Sequence, residues 1–326
     1  MVKIVEAFAP SNIALCKYWG KRNNKLNLPV NSSLSISLGH KGTVTKGSII
    51  DGNVNQIILN NIFITEQNNF YKKIVNFLNL LKIEYKLIPP ETYLKIVTNS
   101  NIPIAAGLAS SASGFAALVK ALDKLFNWNL SLKKLSMLAR LGSGSASRSL
   151  WHGFVKWHAG SKEDGTDSFA EPLNILWPNL CIGLLILDQQ EKYISSREAM
   201  QITVDTSPLY NGWPKIAAKD FNTLELAIEN QDFCLLGATA EANALAMHAM
   251  MLSARPAIMY SNSDTINNIR TIWELRYKYN INIYFTQDAG SNLKLLFLYE
   301  DFLKIKEYFP NIDLIRPFVN NEYKHE

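Results

Sequence analysis

Between Pro103 and Gly114 the chain reads Pro-Ile-Ala-Ala-Gly-Leu-Ala-Ser-Ser-Ala-Ser-Gly. Small side chains let an anion come close to the backbone. A helix expected directly afterwards would offer unpaired amides and the positive end of its dipole. The hydroxyls of Ser110, Ser111 and Ser113 add donors, so the chemistry suited to this segment is phosphate binding. It is not a Walker loop, because no Gly-Lys-Ser/Thr stands at the required spacing. Taken alone, a closely packed helix start with serine caps would look the same, so the string by itself leaves both readings open.

A second group is cationic. Lys17, Tyr18 and Lys21 lie early in the chain, and Arg148 follows Gly142-Ser143-Gly144-Ser145. Lys192, Ser195, Ser196 and Arg197 come later. Guanidinium groups suit bidentate phosphate contacts, while an ammonium acts as a point charge. Most Lys and Arg side chains simply face water. Arg148 stands out because the Gly/Ser turn before it suits close approach of the backbone to a ligand; Lys17 and Lys21 are individually ambiguous. The third element is Asp288, in Asp-Ala-Gly-Ser-Asn between two apolar runs. Asp and Gly belong in a hairpin turn, but a carboxylate near Lys and Arg also stays ionised and accepts a hydrogen bond. His248, beside Met247 on a helical stretch, reads as packing, and no His/Cys/carboxylate cluster has transition-metal spacing.

The elements that must position these groups follow from periodicity. Ser33 to Leu38 and Thr43 to Ile50 read as β runs. Glu66 to Leu81 places Phe70, Ile74, Phe77, Leu78 and Leu81 on one helical face. Tyr93 to Val97 reads as a strand leading into the small-residue loop, and the helix after it turns Phe115, Leu118, Val119, Leu122 and Phe126 inward. Residues 153–157 and 182–187 read as strands, the second apolar enough to be buried on both faces. Helices are expected over about 215–230, 232–252 and 264–279, then strands over 281–285 and 293–298. Strands and helices are grouped rather than strictly alternating, which points to an α+β class. The expected division is an amino-terminal lobe, 1–187, and a carboxy-terminal lobe, 188–326, that carries Asp288.

Composition agrees with a two-lobed globular chain. It has 326 residues, 48% of them hydrophobic and 19% charged, and a formal charge of +5, which is more than one compact core usually holds. The mild positive charge fits an anionic small molecule, and without a Lys/Arg run no nucleic-acid partner is expected. No apolar run approaches the roughly 20 residues that span a bilayer, and the first residues lack a signal-peptide pattern, so no membrane partner is expected. Cys16, Cys181 and Cys234 form no Cys-x-x-Cys pair, and the expected setting is reducing and cytoplasmic.

The full string Pro-x-x-Ala-Gly-Leu-Ala-Ser-Ser-Ala-Ser resembles the phosphate loop of the GHMP kinase superfamily, and Ala106 to Gly114 resembles its diphosphomevalonate decarboxylase version. Further segments agree in the same order: Ala9 to Arg22 with Leu28 to Ser35, Gly142 to Ser149 with Gly153-Phe154-Val155, Glu241 to Ala249, and Phe285 to Asn292. Together they cover nearly the whole chain.

The resemblance implies a two-lobed GHMP-kinase-like fold with a central cleft, using ATP and Mg2+ with no metal-ligand residues of its own. It implies a homodimer acting on 5-diphosphomevalonate. Asp288, Arg148 and Lys21 would be catalytic. Pro103, Ala106, Gly107, Leu108, Ala109, Ser110, Ser111 and Ser113 would hold the nucleotide phosphates. Tyr18, Trp19, Lys21, Ser143, Ser145, Arg148, Ser196, Arg197 and Met200 would hold the substrate. The family generally has an aromatic residue at the position of Gln287 and Pro at that of Ser291, so the packing behind Asp288 differs here. A related kinase that stops at the phosphate ester, a decarboxylase of the monophosphate, and a binding protein without turnover remain alternatives.

Overall fold

The computed structural model describes residues 3–102, 110–190 and 192–319. Strand β1 (Ile4–Cys16), a small ribbon of β2 (Lys21–Asn23) and β3 (Leu28–Pro29), and the long β4 (Ser33–Ile50) come first. Then follow β5 (Gln56–Leu59), β6 (Ile62–Phe63), β7 (Tyr93–Ser100), β8 (Phe154–Trp157) and β9 (Ala170–Leu173). Apart from the β2–β3 ribbon, these strands form one sheet in the order β6-β5-β7-β4-β8-β9, with β1 antiparallel to β4. The two runs expected at 33–38 and 43–50 are halves of β4. The first pairs with β8 and the second with β7. Between them Gly39 has φ 58°. At Gly42 a Cβ would lie 2.2 Å from the Ala9 carbonyl oxygen, so only glycine fits.

One face of this sheet carries α2 (Ser110–Phe126), which packs on β1 and β4 and follows α1 (Asn69–Ile83) in the chain. Phe115, Leu118, Val119 and Leu122 are buried as the periodicity predicts, whereas Phe126 is half-buried. Helix α1 starts at Asn69 rather than Glu66, because the Asn68 side chain accepts from the Phe70 amide and caps it there. Helix α3 (Leu132–Gly142), capped by Ser131, had no counterpart among the expected elements.

A second, four-stranded antiparallel sheet contains β10 (Leu180–Leu185), β11 (Ile283–Gln287), β12 (Leu293–Leu298) and β13 (Asp313–Ile315), in the order β11-β12-β10-β13. Two of these strands lie about two residues from their expected places, for local reasons. β10 stops at Leu185 because the amides of Leu187 and Asp188 donate to Asn292 Oδ1 instead of a strand. β11 starts late because Asn280, at φ 51°, ends the preceding helix and the Ile281 amide still bonds back to Leu275. A division at residue 187 would separate β10 from its own sheet; the change from one sheet to the other falls between Leu173 and Leu180.

Around this sheet lie α4 (Ser196–Thr206), α5 (Trp213–Glu229), α6 (Phe233–Leu252), α7 (Ser263–Tyr279) and α8 (Phe302–Tyr308). Helix α6 is mostly apolar around its circumference, but it is not buried on all sides, since Leu235, Ala238, Ala242, Ala249 and Leu252 are exposed. It touches α4, α5, β1, β11 and β12, and therefore both sheets. One continuous core joins Ile13, Leu34 and Ile36 of the first sheet to Ile182 and Leu184 of the second through Trp213, Leu236 and Met251. The class is α+β, as the grouping of elements predicts.

Candidate active site

Where the two sheets meet, a cleft of about 740 Å3 opens between the segment after β1, the first half of α1, the start of α4 and the turn after β11. It gathers Tyr18, Trp19, Lys21, Ser143, Ser145, Arg148, Ser196, Arg197, Met200 and Asp288, together with Ser111 at the start of α2. Residues as far apart in the chain as Asn12 and Ala289 thus share one cavity.

Each element delivers its group for a local reason. Helix α3 ends at Gly142, where a Cβ would collide with the Phe115 ring, and a 3-10 turn (Gly144–Arg148) follows. At Gly144 a Cβ would come within 2.9 Å of Tyr18 Oη. This glycine therefore lets the Tyr18 phenol lie against the turn, where its buried hydroxyl finds no partner among the described residues. The hydroxyls of Ser111, Ser143 and Ser145 follow one another at 3.3 and 3.4 Å, linking the start of α2 to this wall. Ser113 is fully buried instead: its Oγ lies 3.0 Å from Ser11 Oγ and 2.8 Å from Thr43 Oγ1, tying α2 to the sheet. Pro103, Ala106, Gly107, Leu108 and Ala109 lie outside the described residues, as does the side chain of Ser110.

Arg148 is 2% exposed. Its guanidinium donates to Ser33 Oγ and to Asn12 Oδ1, but its Nε has no partner and no carboxylate lies within ion-pair distance among the described residues. Burial lowers its pKa to about 10, so it stays charged at neutral pH. A buried, uncompensated charge is costly, and an anionic ligand in the cleft would relieve it. Lys21 donates to Asn27 Oδ1 at 2.7 Å. Burial and then Arg197 bring its pKa down to about 8. Burial and the charge of Lys294 bring Lys192 to about 8 as well. Trp19 is buried and forms part of the wall.

Asp288 directly follows β11. Its Oδ1 lies 2.7 Å from Lys17 Nζ and its Oδ2 3.2 Å from Lys294 Nζ, and both lysines are almost wholly buried. Burial alone would push this carboxyl up, but the two ammonium groups together outweigh it and hold it well below the usual carboxylate range. Burial lowers the pKa of Lys17, an effect that Lys294 and Arg148 reinforce and Asp288 opposes. The position of Lys17 is fixed through its backbone: its amide donates to Asn243 Oδ1 and its carbonyl accepts from Asn31 Nδ2. His248 Nε2 lies 3.1 Å from the Asp288 carbonyl oxygen. Burial first, and then Lys17, lower the His248 pKa to about 4, so the ring is neutral and its Nε2–H donates.

Several of these groups are invisible to sequence reasoning. Lys294 interrupts the apolar strand Leu-Lys-Leu-Leu-Phe-Leu and looks like an outward-facing residue. Lys72, Lys73 and Asn76 of α1 also line the cleft. Their signal was available, because they occupy the helix face opposite Ile74, Phe77, Leu78 and Leu81. Gln287, in place of the family's aromatic, is buried and donates to Ser261 Oγ at 3.0 Å and to the Gly290 carbonyl at 2.8 Å. The turn after Asp288 is therefore pinned by hydrogen bonds at this position.

Family models match both parts of the chain. Residues 9–170 match the diphosphomevalonate decarboxylase-like N-terminal domain, and residues 182–325 match the mevalonate 5-diphosphate decarboxylase C-terminal domain. The diphosphomevalonate decarboxylase of Aspergillus fumigatus is 36% identical over 309 residues, covering 90% of this chain and 76% of its own. That of Saccharomyces cerevisiae is 36% identical over 310 residues, covering 91% and 78%. The chain belongs to the diphosphomevalonate decarboxylase family.

Solved structures agree. Mevalonate diphosphate decarboxylase from Staphylococcus aureus, 34% identical, superimposes with a TM-score of 0.90 over 97% of this chain and 96% of its own. The protein named MDDEF, solved in complex with MVAPP, AMPPCP and magnesium, is 36% identical with a TM-score of 0.88 over 98% of each chain. The fold is thus that of the GHMP-kinase-like decarboxylases. Within this diphosphomevalonate decarboxylase scaffold, the cleft carries Lys17, Lys21, Lys72, Lys73, Arg148, Lys192 and Arg197 against the carboxylates of Asp288 and Glu198. Such a surplus suits a ligand with several negative charges.

Proposed function

We propose that the chain catalyses the ATP-dependent decarboxylation of (R)-5-diphosphomevalonate to isopentenyl diphosphate, with release of ADP, phosphate and CO2. The observation that carries this is the ionised carboxylate of Asp288, clamped by two lysines, in the same cleft as a buried guanidinium lacking an ion-pair partner and the serine-lined start of α2. The relatives' names and the MDDEF complex with a nucleotide analogue support it.

A β-hydroxy acid holds its CO2 because hydroxide leaves poorly. In the first step the γ-phosphoryl passes from ATP to the tertiary hydroxyl oxygen, ADP is the leaving group, and the hydroxyl proton passes through the phosphoryl oxygens to solvent. In the second the C–O bond to phosphate breaks and phosphate leaves. The electron pair of the C–C bond to the carboxylate becomes the new double bond, and CO2 departs. Asp288 accepts the hydrogen bond of the hydroxyl and aligns it with the phosphoryl group. Arg148, Lys21, Tyr18, Ser143, Ser145, Ser196 and Arg197 hold the diphosphate and carboxylate, with Trp19 and Met200 as apolar wall. Ser111 and the segment from Pro103 to Ser110 hold the nucleotide phosphates, and Lys72 and Lys73 add positive charge to the cleft.

Among the described residues no group of three or more His, Cys, Asp or Glu is placed to hold a metal, and Asp288 is already engaged by two lysines. Mg2+ would arrive with the nucleotide, beside the serine hydroxyls at the start of α2, and would supply charge neutralisation on the transferring phosphoryl group. The proposal includes two lobes divided between Leu173 and Leu180. It also includes the homodimer that the family resemblance implies and the cytoplasmic setting expected from the cysteine usage; light scattering in solution tests the dimer.

Incubation with ATP, Mg2+ and 5-diphosphomevalonate, followed by analysis of ADP, CO2 and the organic product, tests the function. Equal amounts of ADP and CO2 are expected. ADP without CO2 would make the chain a kinase, and faster turnover of the monophosphate would reassign the substrate.

A further inference from the structure

The carboxylate of Asp288 is held at both oxygens, and the two holders come from different sheets. Lys17, just after β1, takes Oδ1 at 2.7 Å; Lys294, on β12, takes Oδ2 at 3.2 Å. Lys294 is 1% exposed. Its Nζ also reaches the Asn292 carbonyl oxygen at 3.3 Å, and Asp288 is the carboxylate within ion-pair distance of it among the described residues. Removing an ammonium from water costs several kcal/mol, and replacing such a buried pair with apolar residues is often neutral or stabilising. Packing alone therefore gives no reason for a lysine in the middle of an apolar strand.

Two ammonium contacts use two of the roughly four acceptor positions on a carboxylate, which leaves one on each oxygen, and Asp288 lines the cleft. They fix the plane of the group, because rotating it would break one contact or the other. We propose that Lys294 is a positioning residue for the reaction assigned above: with Lys17 it locks Asp288 in a single orientation and as a carboxylate, so that Asp288 directs the substrate hydroxyl by accepting its hydrogen bond rather than by storing its proton. This rests on the proposed decarboxylase reaction for the identity of the hydroxyl. The lysine clamp itself does not depend on it.

The groups that face Asp288 are few enough to separate. Lys17 comes from the segment after β1 and Lys294 from β12. Arg148 of the 3-10 turn and Lys192 from the segment before α4 add positive charge. His248 of α6 is neutral and donates to the main-chain carbonyl, not to the carboxylate. Loss of Lys294 therefore leaves one direct ammonium contact, and the carboxyl must become easier to protonate.

The test compares wild type, Lys294→Met and Lys294→Arg. Methionine is unbranched and fills the buried channel without charge, and arginine restores the charge. In the decarboxylation assay, Lys294→Met is expected to lower kcat by about 10²-fold. The KM for both substrates should stay within about threefold of wild type. Lys294→Arg should recover most of the rate. Independently of turnover, the 13C shift of the Asp288 carboxyl is titrated in wild type and Lys294→Met. An upward move by roughly one unit is expected. An unchanged carboxyl titration, or a wild-type kcat in folded Lys294→Met, would overturn the proposal. If wild type turned over no mevalonate derivative, the functional assignment would fail, and the NMR titration would still decide the clamp.

Discussion

Arg148 and Asp288 divide the work of the cleft between a cation that awaits a partner and an anion that already has two. The guanidinium is buried beside Ser33 and Asn12 without a carboxylate in ion-pair reach among the described residues, while each oxygen of the Asp288 carboxyl is held by one lysine, Lys17 or Lys294. Asp288→Ala is therefore expected to abolish turnover, by at least about 10³-fold, while leaving nucleotide affinity nearly intact. Calorimetric titration with a non-hydrolysable ATP analogue checks the second half, and near-normal turnover would remove Asp288 from the mechanism. The lysines make a second prediction. Lys21 and Lys192, with pKa values brought down to about 8, are charged at neutral pH and lose their protons just above it. Because the charged forms bind the anionic substrate, kcat/KM should fall as pH rises through about 8 and fall steeply, since two groups titrate. An arginine stays protonated throughout this range, so Lys21→Arg should make that decline shallower. An identical alkaline limb in the variant would show that Lys21 does not govern binding.

At the level of elements, the position of Asp288 depends on how β11 is seated against α6 and α7. Glu241 of α6 is the fastener. Its Oε1 accepts from Trp273 Nε1 at 2.8 Å, and its Oε2 accepts from Arg276 Nη2 at 2.6 Å and from the Phe285 amide of β11 at 3.4 Å. Arg276 in turn donates to the Ile283 carbonyl and lies 4.0 Å from the centre of the Tyr284 ring. Truncating one member of such a buried pair leaves the other charge uncompensated. Glu241→Ala should therefore cost about 3–5 kcal/mol in unfolding free energy. Urea titration measures it. A loss below about 1 kcal/mol would show that water or another group takes over the arginine. The motif Glu241-Ala-Asn243 through His248 then has a physical reading: one helix supplies the fastener for β11, the donor to the Asp288 carbonyl, and, from its opposite side, the acceptor for the Lys17 amide.

Over the whole molecule, the two sheets share one core, and His248 is buried close to where they meet. Its folded pKa of about 4 lies below the ordinary histidine value. In the unfolded chain it titrates near 6.5. Between those values the unfolded chain binds more protons, so stability from the neutral ring is complete above about 6.5 and declines as pH falls toward 4. The full span corresponds to roughly 3 kcal/mol. Asp288 acts in a lower window, because its contribution is lost only as pH falls below about 3.9 toward its depressed folded value. Urea unfolding at pH 7 and pH 4.5 should show the first loss. His248→Gln, which keeps a donor but does not titrate, should flatten it; an unchanged slope would assign the loss to other groups.

The sequence by itself determined the class, the order of the chemical segments and most of the cleft residues. Those signals are local: small residues before an amphipathic helix, an Arg behind a Gly/Ser turn, an Asp between two apolar runs. Helix periodicity alone recovered the buried faces of α1 and α2 because a repeat of 3.6 is written into neighbouring residues. Strand ends were displaced because their limits depend on distant partners, as when Asn292 takes the amides that would have extended β10. Only the tertiary structure decided that Lys17 and Lys294 share one carboxylate, that His248 braces its backbone, and that Ser113 turns into the sheet. A lysine in an apolar strand carries the same local pattern whether it meets water or a buried anion. Which of the two it meets is settled by how β11 and β12 pair and by what covers their turn, Lys17 from the far end of the chain included, and the local pattern holds no record of that.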